Sequence, residues 1–135
     1  MVNIDKLDAV LDHIRTHPEQ HDQCCWMRED PNCGTAACFA GWAVTLAGWK
    51  MVVASRRSAM ADTCVNEDGK KRVIAGLARE ILGLDYGDSE VLFDAFNTVE
   101  DLELMAKDLA NGESLAELWH EDDTGHYVRK DDEEV

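Results

Sequence analysis

The sequence predicts a small all-α domain, or a mainly α one with a single short hairpin, in which five to six helices surround a central apolar helix. Three observations carry that expectation. From Cys33 to Trp49 there is no charged side chain, in a chain where 30% of residues are charged. Apolar residues recur at helical spacing through most of the remaining sequence. Cap residues and glycines stand where such helices must start and stop. With 135 residues and 45% hydrophobic content, the chain is large enough to bury a core without disulfides or a metal. We read residues 1–120 as one helical domain and 121–135 as an acidic C-terminal tail.

Taken in order, Ile4, Leu7, Val10, Leu11 and Ile14 form the apolar stripe of a helix over residues 3–17, with Asp5, Asp8 and Asp12 opposite and Asn3 as its cap. Pro18 ends it. His13 and His17 lie four apart on its border, too few ligands for a metal by themselves. Residues 18–34 carry Pro18, Pro31, Asn32 and Gly34 and read as an irregular connection. Ala and Leu then favour one buried helix over 35–47, with Thr35 as cap and Gly48 closing it in the left-handed conformation. Phe39, Trp42, Leu46 and Trp49 are its large apolar groups.

Residues 50–69 predict a loop with short strands. Asp68-Gly69 is a turn signal for a hairpin between 62–65 and 71–74. A helix over 71–83 follows from Val73, Ile74, Leu77, Ala78 and Ile81, with Gly83 as its C-terminal cap. Three shorter helices come next. Asp88 or Ser89 caps one carrying Val91, Leu92, Ala95 and Phe96. Thr98, with Asp101 three positions on, opens one carrying Val99, Leu102, Met105 and Leu109. The last spans about Glu113 to His120. The tail holds Tyr127 and Val128 as its large apolar groups before its end, and such an acidic stretch is expected to be loosely held.

Net charge is −15, and its distribution is uneven. Through Leu84, 11 Asp and Glu stand against 10 Lys and Arg, a net of −1; from Asp85 onward, 17 stand against 3, a net of −14. This asymmetry argues against direct contact with nucleic acid or an anionic membrane and points to a protein partner with a basic surface, such as a host factor. Asp94, Glu100, Asp101, Glu103, Asp108, Glu113 and Glu117 are the interaction residues this reading selects. In a rival reading the same carboxylates mimic the phosphates of DNA and occupy a nucleic-acid-binding site on another protein. Lys70, Lys71 and Arg72, the basic group of the chain, fit a solvated helix start.

A third possibility is a metal- or thiol-dependent site built from His21, Cys24, Cys25, Cys33 and Cys38. Zinc accepts these ligand types, but paired Cys-x-x-Cys knuckles are lacking, and small thiols packing under Trp26 and Phe39 fit the spacing better. Cys33 at a helix N-terminus would have a lowered pKa. His120 and His126 are the downstream histidines, and nothing in the sequence joins either to a nucleophile. No phosphate loop, no Ser-His-Asp arrangement and no metal knuckle is present, so the sequence predicts neither an enzyme nor a cofactor. The N-terminus lacks the basic-then-apolar pattern of a signal peptide, which predicts a cytoplasmic protein. The apolar run is too short and too interrupted for a membrane span.

Cys33-Gly34-Thr35-Ala36-Ala37-Cys38-Phe39-Ala40-Gly41-Trp42-Ala43, together with Ala78-Arg79-Glu80-Ile81-Leu82-Gly83-Leu84 and then Leu92-Phe93, resembles a loose set of small uncharacterised proteins from bacteria and their phages. The resemblance spans roughly residues 26–96. It implies a bacterial or phage accessory protein and supplies no catalytic residue, cofactor or substrate.

Overall fold

Chain order and capping chemistry set the architecture in the computed structural model, which describes residues 2–21, 23, 27–30, 34–52, 60–61 and 63–130. The elements are α1 (Ile4–Thr16), a 3-10 turn (Pro18–Gln20), β1 (Met27–Asp30), β2 (Gly34–Ala36), α2 (Phe39–Leu46), β3 (Lys50–Val52), β4 (Met60–Ala61), β5 (Thr63–Val65) and β6 (Lys71–Val73). They continue with α3 (Ile74–Leu82), α4 (Tyr86–Leu92), α5 (Val99–Ala110), α6 (Leu115–Leu118), β7 (Trp119–Glu121) and β8 (Tyr127–Arg129). The chain is therefore mainly helical but not all-α. Among the described residues it also holds antiparallel sheets of order β2-β1-β4, β3-β5-β6 and β7-β8.

Helix α1 follows its sequence pattern except at Ile4, which is exposed. Asn3 Oδ1 accepts the Lys6 N–H at 3.2 Å, and Leu7, Val10, Leu11 and Ile14 are buried. The uncharged run departs from expectation at its start. Residues 34–36 pair with β1, so helix α2 begins only at Phe39, with Cys38 rather than Thr35 as its cap. Gly34 and the β-branched Thr35 are poor helix formers and lose to strand pairing. Cys38 Sγ accepts the Gly41 N–H at 3.5 Å. From Phe39 to Val44 every residue of α2 is buried, and the helix packs against α1 and α3. Gly48 adopts φ +96°, the left-handed conformation expected after the helix.

The segment 71–83 divides. Lys71–Val73 pair with β5, and helix α3 starts at Ile74, which leaves Val73 61% exposed rather than on the apolar face. The β5–β6 turn is built by Asn66, whose Oδ1 accepts the Asp68 and Lys70 N–H groups, with Gly69 at φ +82°. Gly83 closes α3 in the left-handed region. Asp85, not Asp88 or Ser89, caps α4, and Ala95 and Phe96 lie beyond that helix, exposed. Asp88 instead serves a later helix. Buried, it accepts the Leu115 N–H at 2.8 Å and so holds the start of α6. Burial pushes its carboxyl up from the usual value, against the lowering effect of the backbone N–H groups. Thr98 and Asp101 form the expected reciprocal capping box on α5. Helix α6 is shorter than expected because Trp119 to Glu121 leave it to pair as β7 with β8. Residues 121–130, expected to be loosely held, are thus largely in a hairpin.

Buried Gln23 ties the N-terminal connection to both halves of the core. Its Oε1 accepts the Phe39 N–H at 3.2 Å, where α2 begins. Its Nε2 donates to Leu92 O at 3.3 Å and Asp94 O at 3.0 Å, where α4 ends. Nothing in the sequence pattern marks this residue, since a glutamine in an irregular connection has no periodicity. Replacing it with Leu keeps most of the bulk and strands the Phe39 N–H, while Leu92 O and Asp94 O each keep a bond from Asn97. We expect Gln23→Leu to lower unfolding stability by about 1–3 kcal/mol, because one buried donor loses its partner and two carbonyls lose one of their two. Urea unfolding measures this, and a loss below about 0.5 kcal/mol would show that the linkage does not hold these elements together.

Candidate functional site

Residues 86, 89, 90 and 93 share one face of the α4 segment by helical spacing, and residues 75 and 79 share one face of α3. Across from them, Glu121 and Tyr127 are direct partners in the β7–β8 ladder and so point to the same side of the hairpin. These three surfaces meet. Ala75, Arg79, Tyr86, Ser89, Glu90, Phe93, Asp94, Glu121 and Tyr127 line an open groove of about 390 Å³. Its aromatic side chains are Tyr86, Phe93 and Tyr127. Three carboxylates, Glu90, Asp94 and Glu121, stand against one cation, Arg79, so the lining carries −2.

The electrostatics of the tyrosines agree with this composition. A hydrogen bond to Glu90, followed by that residue's charge, holds the Tyr86 hydroxyl above its usual pKa. Burial raises Tyr127, and Glu121, Asp94 and Glu90 add to the shift. Deprotonating either phenol would place another anion among carboxylates, which is unfavourable. Each phenol therefore stays neutral, with its ring available to a cation. The Arg79 guanidinium already sits 5.4 Å above the centroid of the Tyr86 ring.

The hairpin wall is held by interactions from α5. Asp108, 7% exposed, accepts from Trp119 Nε1 and Arg129 Nε at 3.0 Å each through Oδ2, and from Arg129 Nη2 at 3.1 Å through Oδ1. His126 Nε2 meets Asp101 Oδ2 at 2.7 Å. The hairpin turn is closed by Asp122, whose Oδ1 accepts the Thr124 and His126 N–H groups. Gly125, at φ +86°, lies under the Phe96 ring.

The residues selected from sequence divide among several places. Asp94 lies in the groove. Asp101 and Asp108 face the hairpin and are engaged there. Glu100 and Glu103 lie on another face of α5, beside α1, where Glu103 accepts from Arg15 Nε at 2.9 Å. Glu113 and Glu117 are exposed near α6. The acids of α5 thus split between two faces. Sequence reasoning misses Arg79, Tyr86, Glu90, Glu121 and Tyr127 as site residues. The signal available for the last two is the presence of Tyr127 and Val128 in an otherwise acidic stretch.

Of the metal-ligand candidates, His21 Nε2 lies 2.9 Å from Gln23 Oε1, and Cys38 is buried at the cap of α2. Cys24, Cys25 and Cys33 lie outside the described residues. Among the described residues no group of three or more His, Cys, Asp or Glu side chains converges as a metal site. The His13 ring packs tilted against Trp42 at 4.0 Å between centroids, and burial lowers its pKa, which places it in the packing of α1 against α2. Burial likewise pushes the Cys64 thiol up, keeping it protonated. No described helix is long and apolar enough to cross a membrane. No protein-family model matches the chain, and comparisons with curated proteins and with solved structures return no match.

Because the hairpin wall carries a histidine, its hold is pH-dependent. The hydrogen bond to Asp101 raises His126 above its ordinary 6.5, with the charges of Asp101, Asp122 and Asp94 adding to it and burial opposing it. The folded state then binds this proton more tightly than the unfolded chain. The resulting stabilisation is full below the unfolded pKa and is lost as pH rises through the folded one. In thermal melts followed by tryptophan fluorescence, wild type should lose stability relative to His126→Gln as pH rises from about 6 to 8. Parallel pH profiles for the two proteins would contradict this.

Proposed function

We propose that this protein is a non-enzymatic accessory module, of the bacterial or phage kind its sequence resembles, that binds a basic surface of another protein in the cytoplasm. The docking point within its acidic C-terminal half is the groove between α3, α4 and the β7–β8 hairpin. The observation that carries this reading is the composition of the groove: carboxylates Glu90, Asp94 and Glu121 around the rings of Tyr86, Phe93 and Tyr127. Carboxylates attract a cation from a distance, and aromatic faces hold its weakly hydrated side once it arrives. The net of −14 after Leu84 supports fast, salt-sensitive association with such a surface.

The DNA-mimic reading has less support. A phosphate mimic needs carboxylates in regular rows, whereas the acids of α5 divide between the α1 side and the hairpin side, and Asp108 is buried. A thiol or metal site has the capping role of Cys38 against it, with Cys24, Cys25 and Cys33 outside the described residues.

Binding of labelled oligoarginine and oligolysine peptides, measured by fluorescence anisotropy across salt concentrations, tests the proposal. Binding should weaken steeply with salt. Glu90→Gln, Asp94→Asn and Glu121→Gln together should weaken it by about tenfold or more. The same loss of three charges through Glu100→Gln, Glu113→Gln and Glu117→Gln should cost far less. Equal losses for the two triple variants would make the groove irrelevant.

A further inference from the structure

We infer that Arg79 occupies the groove as a built-in stand-in for an arginine of the partner, and that the partner's guanidinium displaces it. This rests on the reading of the groove as the docking point and adds which side chain enters it. The geometry begins with Arg79, the cation of the lining, seated over the face of Tyr86 at 5.4 Å, within the range of a cation–π contact. Tyr86 is 65% exposed, so the contact is made at the mouth of the groove rather than in the core. Ionic contacts hold other arginines of the chain in place: Arg15 to Glu103, Arg72 to Glu80 and Arg129 to Asp108, at 2.9, 2.9 and 3.0 Å. Among the described residues Arg79 forms no such pair, although Glu90 and Asp94 line the same groove. An exposed cation–π contact is among the weaker interactions a guanidinium makes, so Arg79 is readily displaced.

A planar guanidinium suits this seat better than an ammonium. It stacks flat on a phenol ring and still directs N–H groups at its edge to carboxylates, here Glu90, Asp94 and Glu121. An incoming arginine that displaces Arg79 restores the stacking contact and adds the carboxylate contacts that Arg79 does not make. Its charge replaces that of Arg79 against the three carboxylates, so the groove still carries −2 and attracts further positive charge. The occupant is therefore an arginine within a basic segment of a partner protein. Arg79 raises the threshold for entry, which selects partners whose arginine is backed by further positive charge over isolated cations.

The test compares wild type, Arg79→Gln and Lys107→Gln in binding to oligoarginine and oligolysine peptides. Lys107→Gln removes the same charge from α5, away from the groove. Arg79→Gln should tighten oligoarginine binding by about three- to tenfold, as expected for removing a weak competing contact. Lys107→Gln should change it by less than about twofold, and the gain for Arg79→Gln should be smaller with oligolysine. In wild type, saturating oligoarginine should shift the Arg79 Nε–H and Tyr86 ring resonances in NMR spectra. Wild-type binding that Arg79→Gln leaves unchanged or weakens overturns the displacement idea alone. Failure of wild type and both variants to bind either peptide overturns the docking reading itself, and the displacement idea with it.

Discussion

The buried carboxylate of Asp108 is the constraint on which the C-terminal half depends. A charge removed from water is tolerated only when its lone pairs are met, and here Trp119 and Arg129 meet them with donors from both strands of the hairpin. The two anchors are themselves partners in the ladder, since Trp119 lies opposite Arg129. One carboxylate on α5 therefore fixes the base of the whole β7–β8 hairpin. His126 with Asp101 holds its turn end to the start of the same helix. A two-stranded hairpin alone is marginal in water, so these side chains rather than the ladder hydrogen bonds determine that it forms here.

This has a consequence for the meaning of the acidic composition. Some carboxylates of the second half are internal wiring: Asp88 starts α6, Asp101 accepts the Thr98 N–H at the start of α5 and grips His126, Asp108 holds the hairpin, and Asp122 builds its turn. Each meets N–H donors whose positions follow from the fold around it. Glu90 and Glu121 are exposed in the groove, and Glu113 and Glu117 are exposed elsewhere. A net charge cannot separate the two kinds, because the same residue type satisfies a helix start in one place and faces solvent in another.

What is legible in the sequence follows from how local its cause is. The α1 stripe, the Thr98 to Asp101 capping box, the Gly83 cap and the turn at Asp68-Gly69 are set by residues within a few positions of each other, and each is found. Where the expectation departs from the structure, a partner outside the element intervenes. Thr35 looks like a helix cap until β1 pairs with it, and Asp88 looks like the cap of its own helix while serving α6. The acidic tail lacks the apolar content that marks order, yet Asp108 and Asp101 hold it from α5. Of the site, Asp94 is among the residues legible in advance because it lies in a plainly acidic stretch. Tyr86 and Arg79 belong to segments whose periodicity assigns them simply to a solvent face.

The groove joins parts whose stability differs. Its α3 and α4 walls are backed by fully buried Ile74, Leu82 and Leu92, whereas the hairpin wall joins the core through Trp119 and Tyr127 and adds two polar anchorages. Polar anchorages respond to protonation and salt in a way that apolar packing does not. Of the two walls, only the hairpin has an anchorage strengthened by the protonation of His126. A ligand that contacts both walls would be sensitive to pH through His126 even without touching it, because it requires the hairpin in place. A ligand confined to Tyr86 and Glu90 would not. The pH dependence of binding thus reports how far across the groove an occupant reaches, a property of the fold that follows from Asp101 and His126 lying behind the wall instead of on it.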